Sequence, residues 1–96
     1  MKLDDILLIL EEQKPILREK FSVREIGVFG SYARGTATAE SDIDFFVVFD
    51  RKSVDNITGL WLYLETLFEK KIDLLHAHKY LRNSLKREIE KEIVYG

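Results

Sequence analysis

Apolar residues near the start of the chain recur at helical spacing. Leu3, Ile6, Leu7, Leu10 and Leu17 fall on one stripe and predict a helix from about Leu3 to Lys20. Pro15 lies inside that stretch. It removes one backbone hydrogen bond, so the pattern predicts a kink or a second helix starting there. The period then changes. Arg24-Glu25-Ile26-Gly27-Val28-Phe29 carries β-branched and aromatic residues and is stopped by Gly30, which predicts a strand. Ser31 to Thr36 has room for one helical turn, with Ser31 as its cap. Ile43 to Phe49 is almost wholly apolar, as in a strand buried on both faces and central in its sheet.

The second half repeats the alternation. Ile57, Leu60, Trp61, Leu64, Leu67 and Phe68 follow the i, i+3, i+4, i+7 rhythm and predict an amphipathic helix from Val54 to Lys70. Ser53 or Asp55 is placed to cap it. Gly59 inside it costs about 1 kcal/mol relative to alanine and allows close packing. Lys71 to His76 reads as a short strand. Leu81 to Ile93 reads as a last helix with Leu81, Leu85, Ile89 and Ile93 on one stripe. The order α-β-α-β-α-β-α predicts an α/β (α+β) fold, a small sheet of about three strands with helices packed on it. Trp61, Phe45, Phe46 and Phe49 are assigned to the core. Tyr32 and Tyr63 serve either ordinary packing or a partner surface.

Composition narrows the classes. The chain has 96 residues, 46% hydrophobic and 33% charged, which suits one folded domain over residues 1–96 rather than disorder. Five glycines and one proline imply short turns. The absence of cysteine excludes disulfides and thiolate metal sites. The opening Met1-Lys2-Leu3-Asp4-Asp5 does not resemble a signal peptide. No apolar run approaches the roughly 20 residues that span a bilayer. A cytoplasmic protein with no membrane partner is therefore expected. A net charge of -2 without a basic face argues against direct nucleic-acid binding. A domain this small gains from a partner surface.

The candidate chemistry lies in Gly30-Ser31-Tyr32-Ala33-Arg34-Gly35 and in Ser41-Asp42-Ile43-Asp44. Residues i and i+2 of a strand share a face, so Asp42 and Asp44 present two carboxylates about 7 Å apart along the backbone. Aspartates beside Ile43, Phe45 and Phe46 are costly unless paired or metal-bound, and a divalent cation relieves both desolvation and repulsion. Asp73, between Ile72 and Leu74, supplies a third carboxylate if its strand lies beside Ile43 to Phe49. Three such groups suit two Mg²⁺ ions roughly 3.5–4 Å apart. Gly30 lets the chain turn and a phosphate approach, and the turn after it offers free N–H groups to an anion. Ser31 adds a hydroxyl, and Arg34 a charge for the phosphates or an acceptor. The plainer alternatives are solvent-facing acids at a strand start, an ion pair between Asp73 and a lysine such as Lys71, and a surface ion pair for Arg34. His76 and His78 form a His-x-His, but His76 has the opposite parity to Asp73 and is expected on the solvent side. The charges from Arg82 to Glu92 read mostly as a solvated helix face.

The Gly-Ser-x-Ala-Arg-Gly run followed by Ser-Asp-Ile-Asp resembles the signature of the polymerase-beta-like nucleotidyltransferase superfamily. The small size is similar to that of its minimal members, the MNT proteins that pair with HEPN-domain toxins. The resemblance spans nearly the whole chain. It implies a mixed sheet and nucleotidyl transfer, in which an acceptor hydroxyl attacks the α-phosphorus of ATP and pyrophosphate leaves. It implies that Gly30 and Ser31 contact the phosphates. It implies that Asp42, Asp44 and Asp73 are catalytic acids holding two Mg²⁺ ions, and that Arg34 is the motif's arginine. It further implies an antitoxin that transfers AMP to a tyrosine of a HEPN toxin within a hetero-oligomer. An antitoxin acting by contact alone, or a transferase acting on a small molecule of the antibiotic type, are the other functions consistent with the pattern.

Overall fold

A computed structural model of the chain describes residues 1–76 and 83–96. Leu81, His78 and the side chain of Leu85 lie outside the described residues. The elements are α1 (Leu3–Phe21), β1 (Val23–Phe29), α2 (Gly30–Arg34), β2 (Ile43–Phe49), α3 (Val54–Phe68), β3 (Ile72–His76), α4 (Asn83–Glu92) and β4 (Val94–Tyr95). The strands form one mixed sheet in the order β3-β2-β1-β4. β1 pairs antiparallel with β2 and β4, while β2 and β3 run parallel. A parallel pair needs a crossover between its strands, and α3 provides it.

Alternation along the strands sorts the sheet into two faces. Val28, Phe45 and Leu74 are aligned across three strands on one face, and Phe29, Asp44 and Asp73 on the other. The first face is covered by α1 and α3. Ile6, Leu10 and Leu17 of α1 and Leu60, Leu64 and Phe68 of α3 join Ile26, Val28, Ile43, Phe45, Val47, Ile72 and Leu74 in one buried cluster. Phe45 and Phe68 meet with ring centroids 5.5 Å apart. Gly59 brings α3 close to α1, since a Cβ there would sit 3.0 Å from the Phe21 ring. Tyr63 packs against Phe21 and donates its hydroxyl hydrogen to Gln13, and Tyr32 is buried, so both tyrosines pack internally.

Several expectations change on folding. α1 is one continuous helix through Pro15. Pro15 and Glu11 both lie on its exposed side, where the carbonyl that proline leaves free is open to solvent. Ser53, rather than Asp55, caps α3 by accepting from the Asn56 N–H at 3.0 Å. α2 has no side-chain cap from its own turn, so Ser31 does not serve as one. Among the described residues there are four strands rather than about three, because β4 is a two-residue strand too short to show a period. β4 is seated by Gly27, where an added Cβ would stand 2.5 Å from Ile93. His76 is half-buried on the helix-covered face with its ring edge-on to Phe49 at 6.5 Å, not on the solvent side. Among the described residues no helix is long and apolar enough to cross a membrane.

Phe45 is fully buried at the centre of this layer. Phe45→Ala is expected to cost about 3–5 kcal/mol of unfolding free energy, read from the midpoint of a urea titration.

Candidate active site

The second face of the sheet holds the acids. Asp44 is the second residue of β2 and Asp73 the second of β3. Parallel pairing sets them opposite each other. Neighbouring strands are about 4.8 Å apart, so the two carboxylates leave the same face side by side. Asp42 precedes β2 and is exposed. A turn holds it in place: the Thr38 N–H donates to Ser41 Oγ at 2.8 Å, and the Ser41 N–H to the Thr38 carbonyl at 3.1 Å. Lys70 Nζ donates to the Ala39 carbonyl at 2.7 Å, which ties this loop to the start of β3.

The electrostatics record the crowding. Asp44 is half-buried, and burial pushes its carboxyl above the usual carboxylate value. The charges of Asp73 and then Asp42 push it further, Arg34 opposes them, and Glu92 adds to the rise. Among the described residues no ion pair involves Asp73, so the plainer pairing with Lys71 does not form.

α2 leads out of β1 directly beside Asp44. Gly30 has φ +72°, the left-handed region that glycine enters freely. A Cβ at Gly30 would lie 2.0 Å from Asp44 Oδ2. The backbone of the glycine turn is therefore in contact with the central carboxylate, and a side chain at this position would displace it. Ser31 is half-buried at the start of the same turn. Its carbonyl accepts from the Thr36 N–H at 2.9 Å, closing the turn, and Gly35 leaves it at φ +79°.

One participant was not legible in the sequence. Glu92, at the end of α4, accepts from the Gly30 N–H at 2.8 Å and from Arg34 Nη1 at 3.0 Å. It is the partner of Arg34, and it is not part of the solvated helix face to which its neighbours Glu90 and Lys91 belong. The one local signal is its spacing three residues after the buried Ile89, which places both on one side of α4. Arg34, Asp73, Glu92, Phe29, Leu75 and Ile89 line a cleft of about 410 Å³ beside the acids.

The site thus brings Gly30, Ser31, Arg34, Asp44 and Asp73 together on one face, with Asp42 at its rim. Among the described residues no three acidic or histidine side chains already close around one point. The carboxylate oxygens are the hard donors that Mg²⁺ prefers, and the raised Asp44 carboxyl marks a place where added positive charge is favourable. The donor set fits a divalent cation.

Residues 10–95 match the model of the nucleotidyltransferase domain family. The protein adenylyltransferase MntA of Thermococcus cleftensis is 41% identical over 96 residues, covering 99% of this chain and 96% of its own. Among solved structures, one described as a minimal nucleotidyltransferase superposes with a TM-score of 0.80 at 26% identity, covering 98% of this chain and 95% of that one. A crystal structure of a toxin–antitoxin with AMP-PNP shares the fold with a TM-score of 0.68 at 21% identity, over 99% of this chain and 72% of that one. A tri-AMPylated HEPN toxin of Shewanella oneidensis in complex with an MNT antitoxin gives 0.58 at 18% identity, over 96% and 66%.

The two glycines that bracket α2 separate backbone strain from contact with the acid. Gly35→Ala meets nothing within 4 Å and is expected to cost about 1 kcal/mol from its left-handed backbone alone. Gly30→Ala adds the collision with Asp44 and is expected to cost about 3 kcal/mol. Chemical denaturation of both variants checks the ordering.

Proposed function

The chain belongs to the nucleotidyltransferase domain family and is a nucleotidyltransferase, and from that premise we propose that it transfers AMP from ATP to a tyrosine hydroxyl of a HEPN-type toxin, acting as the toxin's antitoxin. The observation that carries the reading is the contact of Gly30 with Asp44, itself register-paired with Asp73. It sets the glycine turn against a row of acids on one sheet face. The adenylyl transfer in this reading follows the activity named for the Thermococcus cleftensis relative, and the toxin partner follows the toxin–antitoxin complexes that share the fold.

The roles follow from position. The Gly30 N–H and the Ser31 hydroxyl donate to phosphate oxygens, and Arg34 supplies charge beside them. Asp42, Asp44 and Asp73 would hold Mg²⁺, which when bound neutralises the triphosphate and stabilises the attacking and leaving oxygens. Asp73 stands on the edge strand, exposed in the cleft, and is the carboxylate an arriving hydroxyl meets first. It takes the proton as the acceptor oxygen bonds to the α-phosphorus. The bond to the β-phosphate oxygen breaks, and pyrophosphate leaves with that electron pair. A second protein brings the hydroxyl. A hetero-oligomer of the two is expected, with no membrane or nucleic acid in the reaction and a cytoplasmic setting.

The test uses purified protein, labelled ATP, Mg²⁺ and the HEPN-type toxin encoded beside it. Label is expected on the toxin. The double variant Asp42→Ala, Asp44→Ala is expected to fold, because it removes two mutually repelling charges, and to lose transfer by at least about a hundredfold while retaining toxin binding. Absence of label with each of the four nucleoside triphosphates would refute adenylyl transfer to the toxin. Undiminished neutralisation by the double variant would show that contact alone suffices.

A further inference from the structure

Glu92 is brought to the site by long-range anchoring on both sides of it. Ile89, one turn earlier in α4, is 6% exposed. The Ile93 N–H donates to the Ile89 carbonyl at 2.9 Å, and the Ile93 side chain lies over bare Gly27. Val94 and Tyr95 pair with β1, and the Gly96 N–H donates to the Ile26 carbonyl at 3.0 Å. The backbone on either side of Glu92 is thereby fixed against the sheet. Its carboxylate reaches the turn that starts α2, 62 positions away in sequence from Gly30.

This carboxylate joins a face that already carries three acids. A glutamate in that setting is unfavourable unless specific donors compensate it. Two do: the Gly30 N–H at 2.8 Å and Arg34 Nη1 at 3.0 Å, with Arg34 Nη1 also 3.3 Å from the second oxygen. The two donors that stabilise Glu92 are the same two assigned above to nucleotide phosphate.

We propose that Glu92 is a built-in competitor for nucleotide phosphate, an internal anion that holds the Gly30 N–H and the Arg34 guanidinium until a polyphosphate displaces it. The inference rests on the reading of Gly30 and Arg34 as phosphate ligands. One N–H directed at one oxygen cannot serve both anions at full strength, so binding requires Glu92 to leave. Because Ile89, Ile93 and β4 hold the backbone, departure takes only rotation of the Glu92 side chain into the cleft it already lines. A polyphosphate carries more charge and more acceptor oxygens than a carboxylate and wins the exchange. The apparent affinity falls by the fraction of molecules in which the donors are free.

Calorimetric titration of the full chain with magnesium AMP-PNP, and separately with magnesium pyrophosphate, tests this. Glu92→Gln keeps the shape and removes the charge, and Glu92→Ala removes both. Each variant is expected to bind both probes about three- to tenfold more tightly than the wild-type chain, as release of a partly exposed ion pair predicts. Circular dichroism checks that the variants are folded, and Glu92→Gln decides the matter if Glu92→Ala is not. Equal or weaker binding by Glu92→Gln, with the wild-type chain binding normally, would overturn the competitor role and leave the nucleotide reading intact. A wild-type chain that binds neither probe would overturn the nucleotide reading, and the competitor role with it.

Discussion

The structure depends on the parallel pairing of β2 with β3. That pairing sets Asp44 directly beside Asp73 on the face of the sheet not covered by α1 and α3. Two carboxylates on adjacent strands repel each other, and Asp44 also bears the cost of partial burial. A fold accepts such an arrangement when the rest of it is rigid. Here the opposite face supplies the rigidity, because Ile43, Phe45 and Val47 lock β2 against the layer formed by α1 and α3. The strain of the acids is borne by the layer beneath them.

The remaining parts of the site are fixed relative to that pair. The antiparallel register of β1 with β2 puts Phe29 opposite Asp44, so the chain leaving β1 must turn immediately above the carboxylate. Only glycine tolerates both the positive φ of that turn and the missing space beside Asp44. The glycine of the turn and the aspartate of the strand are therefore one structural unit, although 14 positions of sequence separate Gly30 from Asp44. The Lys70 contact with the Ala39 carbonyl holds the intervening loop and, through it, Asp42 at the rim.

Much of this was legible in the sequence because it is periodic or local. The helical stripes of α1 and α3, the apolar run of β2 and its central place each leave a pattern that short-range physics can read. Asp42, Asp44 and Gly30 could be singled out because costly residues stand at the ends of strong strands. Other features were hidden for identifiable reasons. β4 spans two residues and has no period. The seating of Ile93 on Gly27 is visible only once the strands are paired. Ser31 looked like a cap, but the N–H at the start of its turn is taken by Glu92 from the far end of the chain. Glu92 itself sits beside Glu90 and Lys91, which face water, and only its spacing from Ile89 set it apart. Pro15 suggested a break that its exposed position makes unnecessary.

Binding of divalent cations by Asp42, Asp44 and Asp73, next to a glycine turn that receives phosphate, is the premise of the proposed mechanism. It is tested most directly by anomalous diffraction from crystals grown with Mn²⁺ and AMP-PNP. Manganese peaks are expected in contact with the carboxylates of Asp44 and Asp73, with Asp42 drawn in and the triphosphate against Gly30 and Ser31. Manganese bound elsewhere, or a triphosphate seated away from that turn, would contradict it.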